Sequence, residues 1–267
     1  MKIREIINQL ETFAPLALQE SFDNAGVQIS SDKNEEVRGV LLALDVTEKV
    51  IEEAKEKKCN LIISHHPLIF SARKKITNDD YVGRCILEAV RSGITVYAAH
   101  TNLDNARGGV NYKMAEKMGL LNLEFLASLT PKDATVDGGS GVIGELRETM
   151  TRDSFIDMLR CEFGAECARY NDAENNAIKR VALCGGAGAF LIPEAVRKNA
   201  DAFVTGEIGY HHFFGLEKDI LLVELGHYET EQYTLDIIED IVKTADEQTR
   251  VLRTEQRTNP VMYATKK

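Results

Sequence analysis

The chain has 267 residues, 44% hydrophobic and 28% charged, with five prolines and a net charge of −10. That length allows one large domain or two of about 130 residues, and the composition excludes a fibrous or disordered chain. The acidic balance argues against broad binding to nucleic acid, which needs a basic surface to displace counterions from phosphates.

The opening stretch, MKIREIINQLETFAP, carries a charge every few residues. It lacks the apolar core of a signal peptide, and no later window supplies the roughly 20 apolar residues of a membrane span, so a cytoplasmic protein is expected. Ile6, Ile7 and Leu10 give residues 3–13 the apolar face of a helix, and Pro15 follows it. Strands are expected at 27–29 and 37–44, then a helix over 48–58 opened by Thr47, and a strand over 60–64. A helix over 81–92 stopped by Gly93, a strand over 94–99 and a helix over 110–118 stopped by Gly119 complete the first half. A link over 119–140 follows.

The second half repeats this plan. A strand over 141–148 precedes a helix over 152–159 capped by Thr151, then strands near 166–170 and over 179–184. A helix over 193–198, a strand over 202–205, a short helix near 210–216, a strand over 220–225 and a long final helix end the chain. Strands alternating with helices of this length define an α/β fold with mainly parallel sheets. AKEKKCNLIISH (54–65) and AVRKNADAFVTG (195–206) match in pattern, and VYAAH (96–100) and VELGH (223–227) match in the same order. Two similar α/β repeats are therefore predicted, over 1–125 and 126–267. Cysteines 59, 85, 161, 167 and 184 are odd in number and contain no CxxC, so neither a disulfide framework nor a cysteine zinc site is indicated.

Ligands of open parallel sheets bind beyond the carboxyl ends of the strands. At that edge the first half places Asp45, Ser64-His65-His66 and His100 through Asp104, and the second places Cys184-Gly185-Gly186, Thr205-Gly206-Glu207 and Gly226-His227. A scatter of only six histidines would seldom collect metal-ligand types there. His227 and Glu231, four apart at the opening of the last helix, share one face of it. His65 and His66 are neighbours in an extended segment and are expected to face apart, each beside its own ion. Glu231 would bridge the two, with Asp104 and His227 completing the shells. Three imidazoles and two carboxylates suit two divalent ions of the zinc, iron, manganese or cobalt type. His100 and Glu207, at strand ends beside the proposed metals, are candidates for proton transfer, His100 equally for hydrogen bonding to a ligand. CGGAGAF (184–190) could let the backbone at Gly185, Gly186 and Gly188 approach a phosphate, or could simply be a tight turn; it lacks a P-loop lysine.

SFDNAGVQI (21–29), LIISHHPLIF (61–70), YAAHTNLDNARGGVN (97–111), TGEIGYHH (205–212) and GHYETEQ (226–232) together resemble the Nif-three-like family, labelled GTP cyclohydrolase 1 type 2 homologues. The resemblance implies metal-ligand roles for His65, His66, Asp104, His227 and Glu231. It also implies two intertwined α/β repeats assembled as a homohexameric ring, here without the additional domain some members insert between the halves. Asp23, Asp45, His211 and His212 match family motifs and are assigned to structure or to support of the ligands. The function implied is metal-dependent hydrolysis of a nucleotide or another phosphorylated or cyclic-amide metabolite. The alternative is a non-catalytic metal-binding or regulatory assembly.

Overall fold

The structure is a computed structural model that describes residues 1–30, 32–129 and 136–264. The part of the predicted 119–140 link at 130–135 lies outside the described residues. In chain order the elements are α1 (Ile3–Phe13), β1 (Gly26–Ile29), β2 (Val40–Ala43), α2 (Glu48–Glu56), β3 (Leu61–Ser64), α3 (Tyr81–Arg91), β4 (Thr95–Ala98), α4 (Thr101–Asp104), α5 (Val110–Lys117), β5 (Leu121–Ser128), β6 (Gly139–Thr151), α6 (Arg152–Phe163), β7 (Arg169–Tyr170), β8 (Ala177–Cys184), α7 (Ile192–Arg197), β9 (Ala202–Thr205), β10 (Leu221–Glu224), α8 (His227–Glu231), α9 (Thr234–Ala245) and β11 (Val251–Arg253). Two compact units result: Met1–Ala106 with Thr234–Pro260, and Arg107–Tyr233 with Val261–Lys267.

The first unit is built on a five-stranded sheet of order β1-β4-β3-β2-β11, parallel throughout except for β1, which runs antiparallel to β4. Leu41, Ala43, Ile62 and Val96 turn to one face and pack with Val50, Ile51, Cys85 and Ala89 of α2 and α3. The alternate residues Val40, Leu42, Leu61 and Ile63 are as fully buried on the other face, where α9 lies on β2 and against α1. Covering both faces is what makes these strands continuous apolar runs. Local chemistry sets the helix starts: Thr47 Oγ1 accepts from Val50 N at 3.3 Å, and Asp80 Oδ1 accepts from Gly83 N at 2.8 Å.

The second unit is built on a six-stranded sheet of order β5-β6-β8-β9-β10-β7. Strands β8, β9 and β10 are parallel, while β5, β6 and β7 pair antiparallel. Val181, Leu183, Ala202, Val204, Leu221 and Val223 face Phe155, Leu159 and Phe163 of α6. Ala182, Phe203 and Leu222 face Ile192 and Ala195 of α7. Thr151 caps α6 through Ser154 N at 3.3 Å, and Gly164 closes it in the left-handed region at φ 62°.

The two sheets share a core topology. β1-β4-β3-β2 in the first corresponds to β7-β10-β9-β8 in the second, each with three consecutive parallel strands and an antiparallel edge strand that precedes them in the chain. This is the mixed α/β fold that the sequence predicts. Several details differ. β5 occupies part of the predicted link, and β6 runs on to Thr151. α4 and β11 lie outside the predicted elements. The long final helix is two helices, α8 and α9, with a turn at Gln232 and Tyr233 between them.

Candidate metal centre

In the first unit three imidazoles converge beyond the carboxyl ends of β3 and β4. His65 and His66 directly follow β3, and His100 caps α4 just after β4. Ring centroids are 4.9 Å apart for His65 and His66, 5.3 Å for His65 and His100, and 5.5 Å for His66 and His100. One ligand atom from each of the three lies within 4.8 Å of the others, a group that could hold a metal ion. His65 and His66 thus do not diverge as extended neighbours would. β3 ends at Ser64, and the two histidines lie on a bend where strand alternation no longer applies.

The ring nitrogens are oriented by their partners. His65 Nδ1 lies 2.7 Å from the Ala99 carbonyl, His66 Nδ1 2.8 Å from Asp45 Oδ1, and His100 Nδ1 2.7 Å from Asp23 Oδ1. A carbonyl or an ionised carboxylate only accepts, so each Nδ1 must donate its hydrogen. In a neutral ring that fixes the lone pair on Nε2, the nitrogen a metal-ligating imidazole offers when its other side is held by an acceptor. His65 Nε2 lies 3.6 Å from Asp104 Oδ1, carried on α4.

The second unit repeats the device. His227 opens α8, its Nδ1 lies 2.7 Å from Glu207 Oε1, and its Nε2 lies 3.0 Å from Glu231 Oε2 one helical turn on. Glu231 is buried. Histidine followed four residues later by a carboxylate thus occurs after the third parallel strand of each sheet, as His100 and Asp104 and as His227 and Glu231. The pairs are one residue out of step: Ala99 N donates to Ser64 O in the first sheet, and Leu225 N donates to Thr205 O in the second. By strand register His100 therefore corresponds to Gly226, not to His227 as VYAAH and VELGH suggest.

Glu207 is occupied in orienting His227, and Asp45 and Asp23 do the same for His66 and His100. Asp23 has a fully buried side chain. Burial alone would raise its pKa, but hydrogen bonds from His100 and Thr101, the charge of His100 and the Asn24 N–H outweigh it and hold the carboxyl at about 2, against an ordinary 3.8. A folded pKa below the unfolded one contributes stability that is complete above about pH 4 and is lost as pH falls toward 2. Asp23→Asn should therefore be less stable than wild type by about 2 kcal/mol at pH 5 in urea unfolding, with the gap narrowed to about 1 kcal/mol by pH 2.5 and closing only below about pH 2. A gap that stays constant over that range would contradict the assignment.

The glycine loop has an internal role. Gly185 N donates to Asn111 Oδ1 at 2.9 Å, Gly186 N to Thr230 Oγ1 at 3.1 Å and Gly188 N to Thr205 Oγ1 at 3.0 Å. These three N–H groups are committed within the unit, which speaks for the tight-turn reading over the phosphate reading. His211 and His212 sit on an exposed 3-10 turn, His211 against the Tyr210 and Phe214 rings, and neither joins a group of ligand atoms among the described residues. All five cysteines are free thiols.

A duplicated α/β plan, with oriented imidazoles and carboxylates at the carboxyl edge of each sheet, defines a protein with side-chain groups able to hold metal. The model of the family Duf34/NIF3 (NGG1p interacting factor 3) matches residues 1–260. A Clostridium perfringens protein named GTP cyclohydrolase 1 type 2 homolog is 35% identical over 244 residues, 91% of this chain and 92% of its own length. Among solved structures, a Staphylococcus aureus hypothetical protein superposes with a TM-score of 0.89 at 29% identity, and a Bacillus cereus protein related to NIF3 with 0.87 at 26%, each over 99% of both chains. The chain belongs to the DUF34/NIF3 family.

Among the described residues, no helix is long and apolar enough to cross a membrane. The sequence did not single out Phe22 and Phe70, which border the imidazole cluster; an exposed phenylalanine reads in sequence like a core one.

Proposed function

We propose that His65, His66, Asp104, His227 and Glu231 ligate two divalent metal ions, and that the centre serves hydrolysis of a nucleotide or another phosphorylated or cyclic-amide metabolite. One observation supports the metal most directly. With Nδ1–H of His227 committed to Glu207, its Nε2 lone pair faces Glu231 Oε2 at 3.0 Å, and with Nδ1–H of His65 committed to Ala99, its Nε2 faces Asp104 Oδ1 at 3.6 Å. Two acceptors turned toward each other repel unless a cation, either a proton or a metal, sits between them. The donor set of imidazole and carboxylate suits zinc, iron, manganese or cobalt.

When bound, such ions would lower the pKa of a water toward neutrality and hold an oxyanion or phosphate. The chain's own residues supply orientation and proton handling. Asp45 and Glu207 fix the rings of His66 and His227. His100, held by Asp23 at Nδ1, presents Nε2 beside the cluster, where it can take up or deliver a proton. Both the resemblance and the names of the relatives point to GTP as the first substrate to try.

Protein purified without chelator should contain about two metal ions per chain by elemental analysis, and fewer than one would sink the centre. His66→Ala and Glu231→Gln should each bring the content below one per chain and abolish metal-dependent turnover of GTP. Full metal content without turnover across a metabolite panel would leave the regulatory assembly as the function.

A further inference from the structure

We propose that Phe22 and Phe70 form a stacking platform for a planar heteroaromatic ring bearing an anionic group, beside the His65, His66 and His100 cluster. The platform takes its location from the metal-centre reading and deepens it, but separate observations carry it. Phe22 is 65% exposed and Phe70 49%, whereas Phe155, Phe163 and Phe203 are fully buried. Single exposed apolar side chains need no explanation, but adjoining ones mark a binding surface. The two rings are neighbours, with centroids 6.4 Å apart and planes at 54°. The Phe70 ring meets His100 edge to face at 6.3 Å and 81°, and His100 meets His66 in the same way at 5.5 Å. An aromatic surface therefore runs without a break from the two phenylalanines to the imidazoles.

The loops that carry the rings are tied together. Asn24 Nδ2 donates to the Ile69 carbonyl at 2.6 Å, and Ile69 N donates to Gln28 Oε1 at 3.1 Å. Asp23, next to Phe22, accepts from Thr101 N at 3.1 Å and from the Thr101 hydroxyl. A surface fixed in advance loses little freedom when a ligand arrives.

Geometry and charge select the ligand. A ring sandwiched between two parallel faces needs them about 7 Å apart, two contacts of about 3.5 Å, so a pair tilted by 54° at 6.4 Å does not make a slot. It makes a corner, in which a third ring lies on one face and meets the edge of the other, both favoured arrangements. The imidazole border suits a ring with polar heteroatoms over a bare hydrocarbon. Just beyond Phe70, in a chain of net charge −10, the exposed connection carries Arg73, Lys74 and Lys75. Arg73 pairs with Asp80, and the two lysines suit an anionic substituent such as a phosphate.

The test is equilibrium dialysis of the metal-loaded full chain with GMP, AMP and nicotinate mononucleotide as ring probes and ribose 5-phosphate as the ringless control. At least one ring probe should bind more tightly than ribose 5-phosphate. Phe22→Ala and Phe70→Ala should each weaken that binding about tenfold, as loss of one stacking partner does. Phe70→Tyr should restore it, and ribose 5-phosphate binding, metal content and sedimentation mass should not move. Ring probes that bind no better than ribose 5-phosphate, or alanine variants that bind them like wild type, overturn the platform. So does a change of sedimentation mass in Phe22→Ala with ring binding intact, which would make the pair a contact between copies. Metal content separates the two readings. Two ions per chain without ring preference sinks the platform alone, and ring preference through Phe22 and Phe70 in a chain that holds no metal sinks the metal centre alone.

Discussion

Gly186→Ala and Gly186→Val are both expected to lose bound metal, to below one ion per chain by elemental analysis. Gly186 has φ 59°, a conformation that costs a residue with a Cβ about 1–2 kcal/mol. Strain is the smaller part of the effect. A Cβ built there collides with Glu231 Oε1 and lies 3.2 Å from His227 Cε1, so the carboxylate must leave the place where it faces His227 Nε2. A flexible side chain can move at little cost in stability, but a proposed ligand cannot move without loss of the site. Alanine is the cleaner variant, because valine adds a stiff branch to the same collision. Gly164→Ala supplies the control: φ is 62°, and nothing lies within 4 Å of the added carbon. It should show the same order of strain in denaturant unfolding while keeping its metal. Full metal in Gly186→Ala, or equal loss in Gly164→Ala, would refute the account. Loss of nucleotide binding alone, with metal retained, would revive the phosphate reading of this loop.

The parts of the fold that read clearly in the sequence are those buried on both faces. LIIS at β3 and AFVT at β9 are apolar almost without interruption because helices cover both sides of each sheet, and the turns that end them bring His65, His66 and Glu207 to the carboxyl edge. β5 falls within the predicted link although Leu121, Leu123 and Phe125 alternate; half of its residues are exposed, and Phe125 and Leu126 are its buried ones. β11 is three residues long and pairs with β2 some 200 positions earlier in the chain. Nothing local in VLR specifies that partner. The same limit applies at the site. The imidazoles are visible as residues following strands, but the carboxylates that set their tautomers lie 20, 21 and 77 positions away, for Glu207 with His227, Asp45 with His66 and Asp23 with His100. Which histidine faces which acid is a property of the folded sheet edge.

Removing Glu53 should release the C-terminal return of the chain from the first unit. This residue, on α2, is buried, and its carboxylate accepts from the Thr254 hydroxyl, from Glu255 N at 3.0 Å and from Lys57 Nζ at 2.9 Å. Burial pushes its pKa up, yet these donors prevail and hold it below the ordinary value, so the ionised form is the one the fold selects. Thr254 and Glu255 directly follow β11, whose parallel pairing with β2 runs from Val251 opposite Val40 to Arg253 opposite Leu42. Three residues of edge strand are a weak attachment by themselves. The buried carboxylate is what fixes the end of the segment. Glu53→Ala leaves the part-buried Thr254 hydroxyl, the Glu255 N–H and the Lys57 ammonium without their acceptor, a change that costs about 3 kcal/mol. Glu53→Gln keeps one acceptor oxygen and should cost about half as much. The expected signature is local: hydrogen exchange at residues 251–255 and 40–42 should speed up by about two orders of magnitude in Glu53→Ala, while exchange in β8, β9 and β10 stays as in wild type. Uniform acceleration across both sheets would mean that Glu53 supports the whole chain, and protection unchanged at 251–255 would mean that β11 holds without it.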